Sequence, residues 1–188
     1  MYISYSPLSS LDISHVLRNN RFTKAVFLGV FAADTLPETL KKKPCALVAN
    51  CDTSDKNGSH WIAIYIDKSG KGEFFDSYGI KPIVSQHENF MNKHCNSWTF
   101  NTVSLQDIST SVCGQYCCLY TLAHAKKYST KYLLKHYVRN SCQNDALTIL
   151  CYALYFERAR RRSFKKEKQR MVCRSRCACV KKPRPFKV

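Results

Sequence analysis

Apolar and polar positions alternate through the middle of the chain and then give way to helical spacing. His60 to Asp67 (HWIAIYID) places Trp61, Ala63 and Tyr65 on one side and Ile62, Ile64 and Ile66 on the other. Both sides are apolar, which predicts a central strand covered on two faces. Lys68 to Lys71 (KSGK) is a tight turn, and Gly72 to Tyr78 (GEFFDSY) is the partner strand of a hairpin. Cys45 to Cys51 (CALVANC) also reads as a strand, and the turn-rich stretch from Asp52 to Ser59 must be a loop. Ala25 to Phe31 (AVFLGVF) fits a strand or a buried helical turn. Asp12 to Asn20 fits a short helix, with Ile13, Val16 and Leu17 on one face. Val84 to Cys95 suggests a polar helix, and Trp98 to Leu105 a further strand.

From Cys113 the period lengthens. Cys113 to Tyr128 is a long apolar stretch without proline. Ser129 is a plausible N-cap for a helix over Lys131 to Arg139, and Asn144 for one over Asp145 to Arg162. In that last helix Leu147, Leu150, Cys151, Leu154 and Tyr155 form an apolar stripe. Strands followed by helices predict an α+β domain on a central mixed or antiparallel sheet, without repeats.

Charge divides the chain. It carries 30 Lys and Arg against 13 Asp and Glu in 188 residues, a net +17. Residues 157–188 hold 14 basic and 2 acidic side chains, and residues 1–156 the remainder, a net +5. The expectation is one folded domain over 1–156 and a basic, flexible tail over 157–188. Arg158, Arg160, Arg161, Arg162, Lys165 and Lys166 open that tail and suit a nucleic-acid partner or nuclear targeting. No apolar run approaches the ~18 residues of a membrane-spanning helix. The first residues lack the basic and apolar regions of a secretory signal, so an intracellular protein is expected. Eleven cysteines without such a signal argue against a disulfide framework. Cys173, Cys177 and Cys179 lack a nearby fourth ligand, so no metal site is expected.

Four segments carry candidate chemistry: GSHW (58–61), FFDSYG (74–79), LQD (105–107) and VCGQYCC (112–118). A cysteine nucleophile reacts as its thiolate, and Cys113 falls between a loop and a long apolar helix, at a helix N-terminus that favours negative charge. Gly114 beside it would let a substrate backbone come close. His60 enters the central strand directly after a flexible loop and could serve as base. Reflection about the KSGK turn sets His60 opposite about residue 79, within diagonal reach of Asp76, a candidate orienting acid. Gln106, seven residues before Cys113, could join the Cys113 N–H as oxyanion donor.

The order His, Asp, Gln, Cys, with HW, FDSYG and CGQYCC around those residues, resembles the adenovirus-type (adenain-like) cysteine endopeptidases. These belong to the clan of the SUMO-deconjugating proteases, and related enzymes occur in virus-like DNA transposons. The resemblance covers about residues 27–120. The seven-residue offset from Gln106 to Cys113 looks like the adenoviral spacing. It implies a papain-like fold with the nucleophile at the start of a buried helix. Cys113 would be nucleophile, His60 general base and acid, Asp76 orienting acid, Gln106 oxyanion donor, and Trp61 a flank of the substrate channel. Adenoviral members usually carry Glu where this chain has Asp76, one methylene shorter.

The same resemblance implies a monomer that cleaves viral or element-encoded capsid or core precursors at small-residue, glycine-containing sites. It would act in the host nucleus or the virion. DNA and a small activating peptide would be its cofactors, and Cys95 is placed like the cysteine that joins that peptide through a disulfide. Two alternatives accompany this reading: a protease removing a ubiquitin-like modifier, and a non-catalytic basic nucleic-acid-binding protein.

Overall fold

The computed structural model describes residues 6–157. The basic side chains from Arg158 to Lys166 and the three tail cysteines lie outside the described residues. Ten regular elements form one sheet with helices on both faces. Helix α1 (Ser10–Asn19) starts at a capping box: the Asp12 N–H donates to Ser9 Oγ and the Ser9 N–H to the Asp12 carboxylate, each at 3.2 Å. It buries Ile13 and Leu17.

Five strands follow in chain order across the sheet: β1 (Phe27–Phe31), β2 (Cys45–Asn50), β3 (Trp61–Ile66), β4 (Lys71–Phe75) and β5 (Ser97–Phe100). The outer pairs are parallel and the inner pairs antiparallel, so the sheet is mixed. The β3–β4 hairpin pairs Ala63 with Phe75 and Ile64 with Phe74. Continued outward, that register brings residue 78 opposite residue 60, one residue from the sequence expectation.

Both faces of β3 are covered, as its double apolar alternation requires. Ile62, Ile64 and Ile66 pack with Phe90 and Met91 of helix α2 (Ser85–His94). Trp61, Ala63 and Tyr65 face helix α3 (Cys113–Ala125), together with α1 and helix α5 (Ser141–Tyr152). Helix α3 is buried along nearly its whole length, as a helix apolar on all sides must be. Each fully buried large apolar side chain contributes about 1.5–3 kcal/mol, so these two layers hold the ends of β3 and β4 in place.

Three expectations need correction. Strand β5 ends at Phe100, because the Asn101 side chain takes over the pairing: its Oδ1 accepts the Asp76 N–H at 2.9 Å and its Nδ2 donates to the Asp76 carbonyl at 2.7 Å. Helix α4 (Thr130–Leu134) has the expected Ser129 cap but only five residues. Helix α5 is capped by Asn140, not Asn144, through the Gln143 N–H. Asn144 lies inside α5 and is buried, and so are Asp145, Thr148, Ile149 and Tyr152. The expected stripe is rotated away: Leu150, Leu154 and Tyr155 are exposed. Polar groups that find hydrogen-bond partners inside displace leucines from the inner face, which apolar periodicity alone cannot register. No described helix is long and apolar enough to cross a membrane.

Candidate active site

The four sequence segments meet at one end of the sheet. His60 leaves a loop whose two ends are tied by one residue: Asn50 Oδ1 accepts the Asp52 N–H at 2.9 Å and the Ser59 N–H at 3.2 Å. The Asn50 carbonyl is in turn hydrogen-bonded by buried His87 at 3.0 Å, and the His60 carbonyl accepts the Cys51 N–H. The imidazole is therefore fixed from the backbone outward.

Asp76 follows β4 directly. Its backbone is held by Asn101 and by a turn in which the Gly79 N–H donates to the Asp76 carbonyl at 2.9 Å. Gly79 has φ +70° and packs on the Val103 backbone, where a Cβ would stand 2.5 Å from a carbonyl carbon; only glycine fits. The Asp76 carboxylate accepts the Tyr78 N–H at 2.7 Å and bonds His60 Nε2 at 3.1 Å. Both side chains are largely withdrawn from solvent, His60 at 15% and Asp76 at 4% exposure.

Cys113 stands first in α3, behind Val112, which provides no side-chain cap. The leading N–H groups of such a helix have no partner within it. Cys113 lies near enough to the His60 ring to act on its charge. With Nε2 on Asp76, Nδ1 is the nitrogen left for the sulfur. Tyr78 stacks on the imidazole, with centroids 4.9 Å apart. Burial disfavours charge on His60, but hydrogen bonds and charge from Asp76 and Cys113 outweigh it and push its pKa up to about 9. Neighbouring thiols lie in a different environment: burial raises Cys51 to about 12 and Cys117 well above its ordinary range.

Gln106 is buried in the loop leading to α3. Its Oε1 accepts from Ser77 Oγ at 2.7 Å and its Nε2 donates to the Thr110 carbonyl at 2.8 Å, three residues before Cys113. A cleft of about 730 Å³ opens beside the sulfur, bounded by Leu8, Phe31, Asn50, Lys56, Trp61 and Cys113.

Trp61 borders the cleft, and its indole N–H donates to the Leu8 carbonyl at 3.0 Å. Gly114 stands beside it, behind the N-terminal segment. A Cβ there would meet Leu8 Cβ at 3.0 Å, Ile13 at 3.3 Å and Trp61 at 3.4 Å. On its Cβ side it therefore accommodates the chain's own N-terminal segment. That segment is held further by Gln115 Nε2, which donates to the Ser6 carbonyl at 2.9 Å. Cys95 lies on the far face of the sheet from α3, half-buried at the end of α2 against Gly72, and burial raises its pKa. It is not part of the cleft.

Tyr78, Asn50, Ser77 and Asn101 were not anticipated. Hairpin register alone would have found Tyr78, whereas the others act through contacts between distant segments.

No protein-family model and no curated protein matches this chain. Solved structures do. The ASFV pS273R protease superposes with a TM-score of 0.55 and 19% identity, over 81% of this chain and 68% of that one. Its selenomethionine form gives 0.57 and 19%, over 81% and 69%. The SUMO protease Ulp1 reaches a TM-score of only 0.32 at 19% identity, over 57% of this chain and 53% of its own, too distant to carry an argument. The described residues of the chain therefore adopt the fold of the ASFV protease.

Proposed function

We propose that this chain is a cysteine endopeptidase of the adenain type, with Cys113 as nucleophile, His60 as general base and acid, Asp76 as orienting acid and Gln106 as oxyanion donor. The observation that carries the reading is the His60 ring, bonded to the Asp76 carboxylate at 3.1 Å and raised in pKa by Asp76 and by Cys113 beside it. A protonated imidazole beside a sulfur favours the thiolate, and a carboxylate on the other nitrogen fixes the ring's orientation.

The sulfur attacks the scissile carbonyl carbon, and the electron pair of the C=O bond moves onto oxygen. The free N–H groups at the start of α3 and the second Gln106 amide proton stabilise that oxyanion. His60 Nδ1 gives its proton to the departing amine, and a thioester remains. Water then attacks the thioester, His60 takes its proton, and the thiolate returns as the carboxylate product leaves.

The substrates would be capsid or core precursor proteins of a virus or virus-like element, cleaved at small-residue, glycine-containing sites. DNA, bound through the tail from Arg158 to Lys166, and a peptide joined at Cys95 enter as activators. An electrophilic peptide ending in glycine tests the whole. Covalent labelling at Cys113, lost in Cys113→Ala and accompanied by peptide cleavage, is the expected result, with rates compared with and without each activator. Labelling only by a ubiquitin-like probe would replace this reading with a deconjugating protease. DNA binding with an inert Cys113 would remove it.

A further inference from the structure

Helix α5 contributes no residue to the cleft, yet its first two turns grip the loop that carries Gln106. Ser141 Oγ and Cys142 Sγ donate to the Asp107 carboxylate at 2.8 and 3.5 Å. Asn144 Nδ2 donates to the Leu105 carbonyl at 3.2 Å. Asp145, fully buried, accepts three hydrogen bonds: the Asp107 N–H at 3.2 Å, Thr110 Oγ1 at 2.8 Å and Tyr116 OH at 2.8 Å.

We propose that Asp145 is a positioning residue for the reaction: its carboxylate fixes the 105–110 loop against α3 and thereby aims the Gln106 amide at the place where the oxyanion forms. The proposal rests on the peptidase reading above. Two of the donors to Asp145 belong to the loop and one to α3, so a single carboxylate sets the distance between the Gln106 loop and the helix that carries the sulfur. Thr110 is the coupling residue. Its hydroxyl binds Asp145 and its carbonyl receives the Gln106 amide. The other end of that amide is held from the hairpin side, where Ser77 Oγ donates to Gln106 Oε1 and the Ser77 carbonyl accepts the Leu105 and Gln106 N–H groups at 2.8 and 3.1 Å. The amide is thus stretched between Ser77, next to Asp76, and the carbonyl of Thr110, whose hydroxyl Asp145 holds.

Burying a carboxylate is unfavourable unless donors compensate it, and apolar side chains of similar volume would join α5 to the loop at less cost. What a three-donor carboxylate adds is direction. An oxyanion donor displaced by about 1 Å costs on the order of 10²-fold in rate.

The test uses Asp145→Asn, equal in shape, in the full chain. On a glycine-containing peptide kcat should fall by about 10²-fold with KM little changed. Alkylation of Cys113 by iodoacetamide should keep its rate, because displacement of iodide builds no oxyanion. In a Gln106→Ala background the same substitution should cost little more, since the group it aims is gone. An equal loss with and without Gln106 overturns the proposal, and so does alkylation that falls in step with kcat. If Asp145→Asn fails to fold, Tyr116→Phe and Thr110→Val each remove one donor and must show the same split, smaller in size. Cleavage by the unsubstituted chain with an unchanged kcat in Asp145→Asn defeats this proposal alone. Alkylation at Cys113 without any peptide cleavage defeats the peptidase reading and this proposal together.

Discussion

Two histidines at opposite ends of β3 and β4, one partly buried and one buried, respond to burial in opposite ways. His60 bonds the Asp76 carboxylate, and with Cys113 also acting on it its pKa is pushed up to about 9. His124 lies between the rings of Tyr65 and Tyr120, with its Nε2 on Thr130 Oγ1 at 3.0 Å, and burial pushes its pKa down to about 4. A carboxylate is near in both cases, but Glu73 stands 3.7 Å from His124 and accepts the Thr130 hydroxyl instead. A directly bonded anion reverses the effect of burial, whereas one engaged by an intervening hydroxyl does not. The first arrangement holds a charged imidazole beside a carboxylate, and the second a neutral ring packed among aromatics.

The strongest way to break the contrast is to remove the sulfur. Cys113→Ala should abolish peptide cleavage while the fold survives, and the His60 titration midpoint, followed by NMR, should drop below 9 because one of its two partners is lost. Asp76→Asn comes next. Activity should fall by about 10²-fold, the usual scale of an acid–base contribution, and the His60 midpoint should fall again. Retention of a midpoint near 9 in that variant would show that the carboxylate is not what holds the charge.

The pH dependence of stability separates the two residues further. His60 is raised above its ordinary value of 6.5. Its contribution is complete below about 6.5 and is lost as pH rises through about 9, because the native state holds the proton longer. His124 is lowered from 6.5. Its contribution is present above about 6.5 and is lost as pH falls through about 4, because the unfolded chain takes up the proton first. His124→Phe should therefore flatten the acid side of a melting-temperature profile by several degrees and leave the alkaline side alone. The smallest effect is expected from Glu73→Gln, which should move the His124 midpoint by no more than about 0.3 unit, since a half-exposed charge one hydroxyl away contributes little.

Much of this arrangement is legible in the residue pattern because it is local. The double apolar alternation of β3, the KSGK turn and the short step to FDSYG place His60 and Asp76 together by hairpin geometry, and the observed register differs by one residue from the simple reflection. The Cys113 segment is legible as the start of an apolar helix. The remainder depends on partners far away in the chain. Gly114 is matched to Leu8, so its neighbours cannot be read from CGQYCC. Asn101 ends β5 by substituting its side chain for a strand. Helix α5 turns Asn144 and Asp145 inward because Leu105, Asp107 and Thr110 await them, and a search for apolar stripes selects Leu150 and Leu154 instead.

The hairpin has a consequence for biosynthesis. Its two strands and their turn leave the ribosome within one short stretch, so the imidazole and its carboxylate can meet through local contacts that form quickly. The sulfur arrives some forty residues later, and the helix whose carboxylate holds the 105–110 loop later still. The emerging chain therefore completes its charged pair well before the Cys113 sulfur can be set beside it.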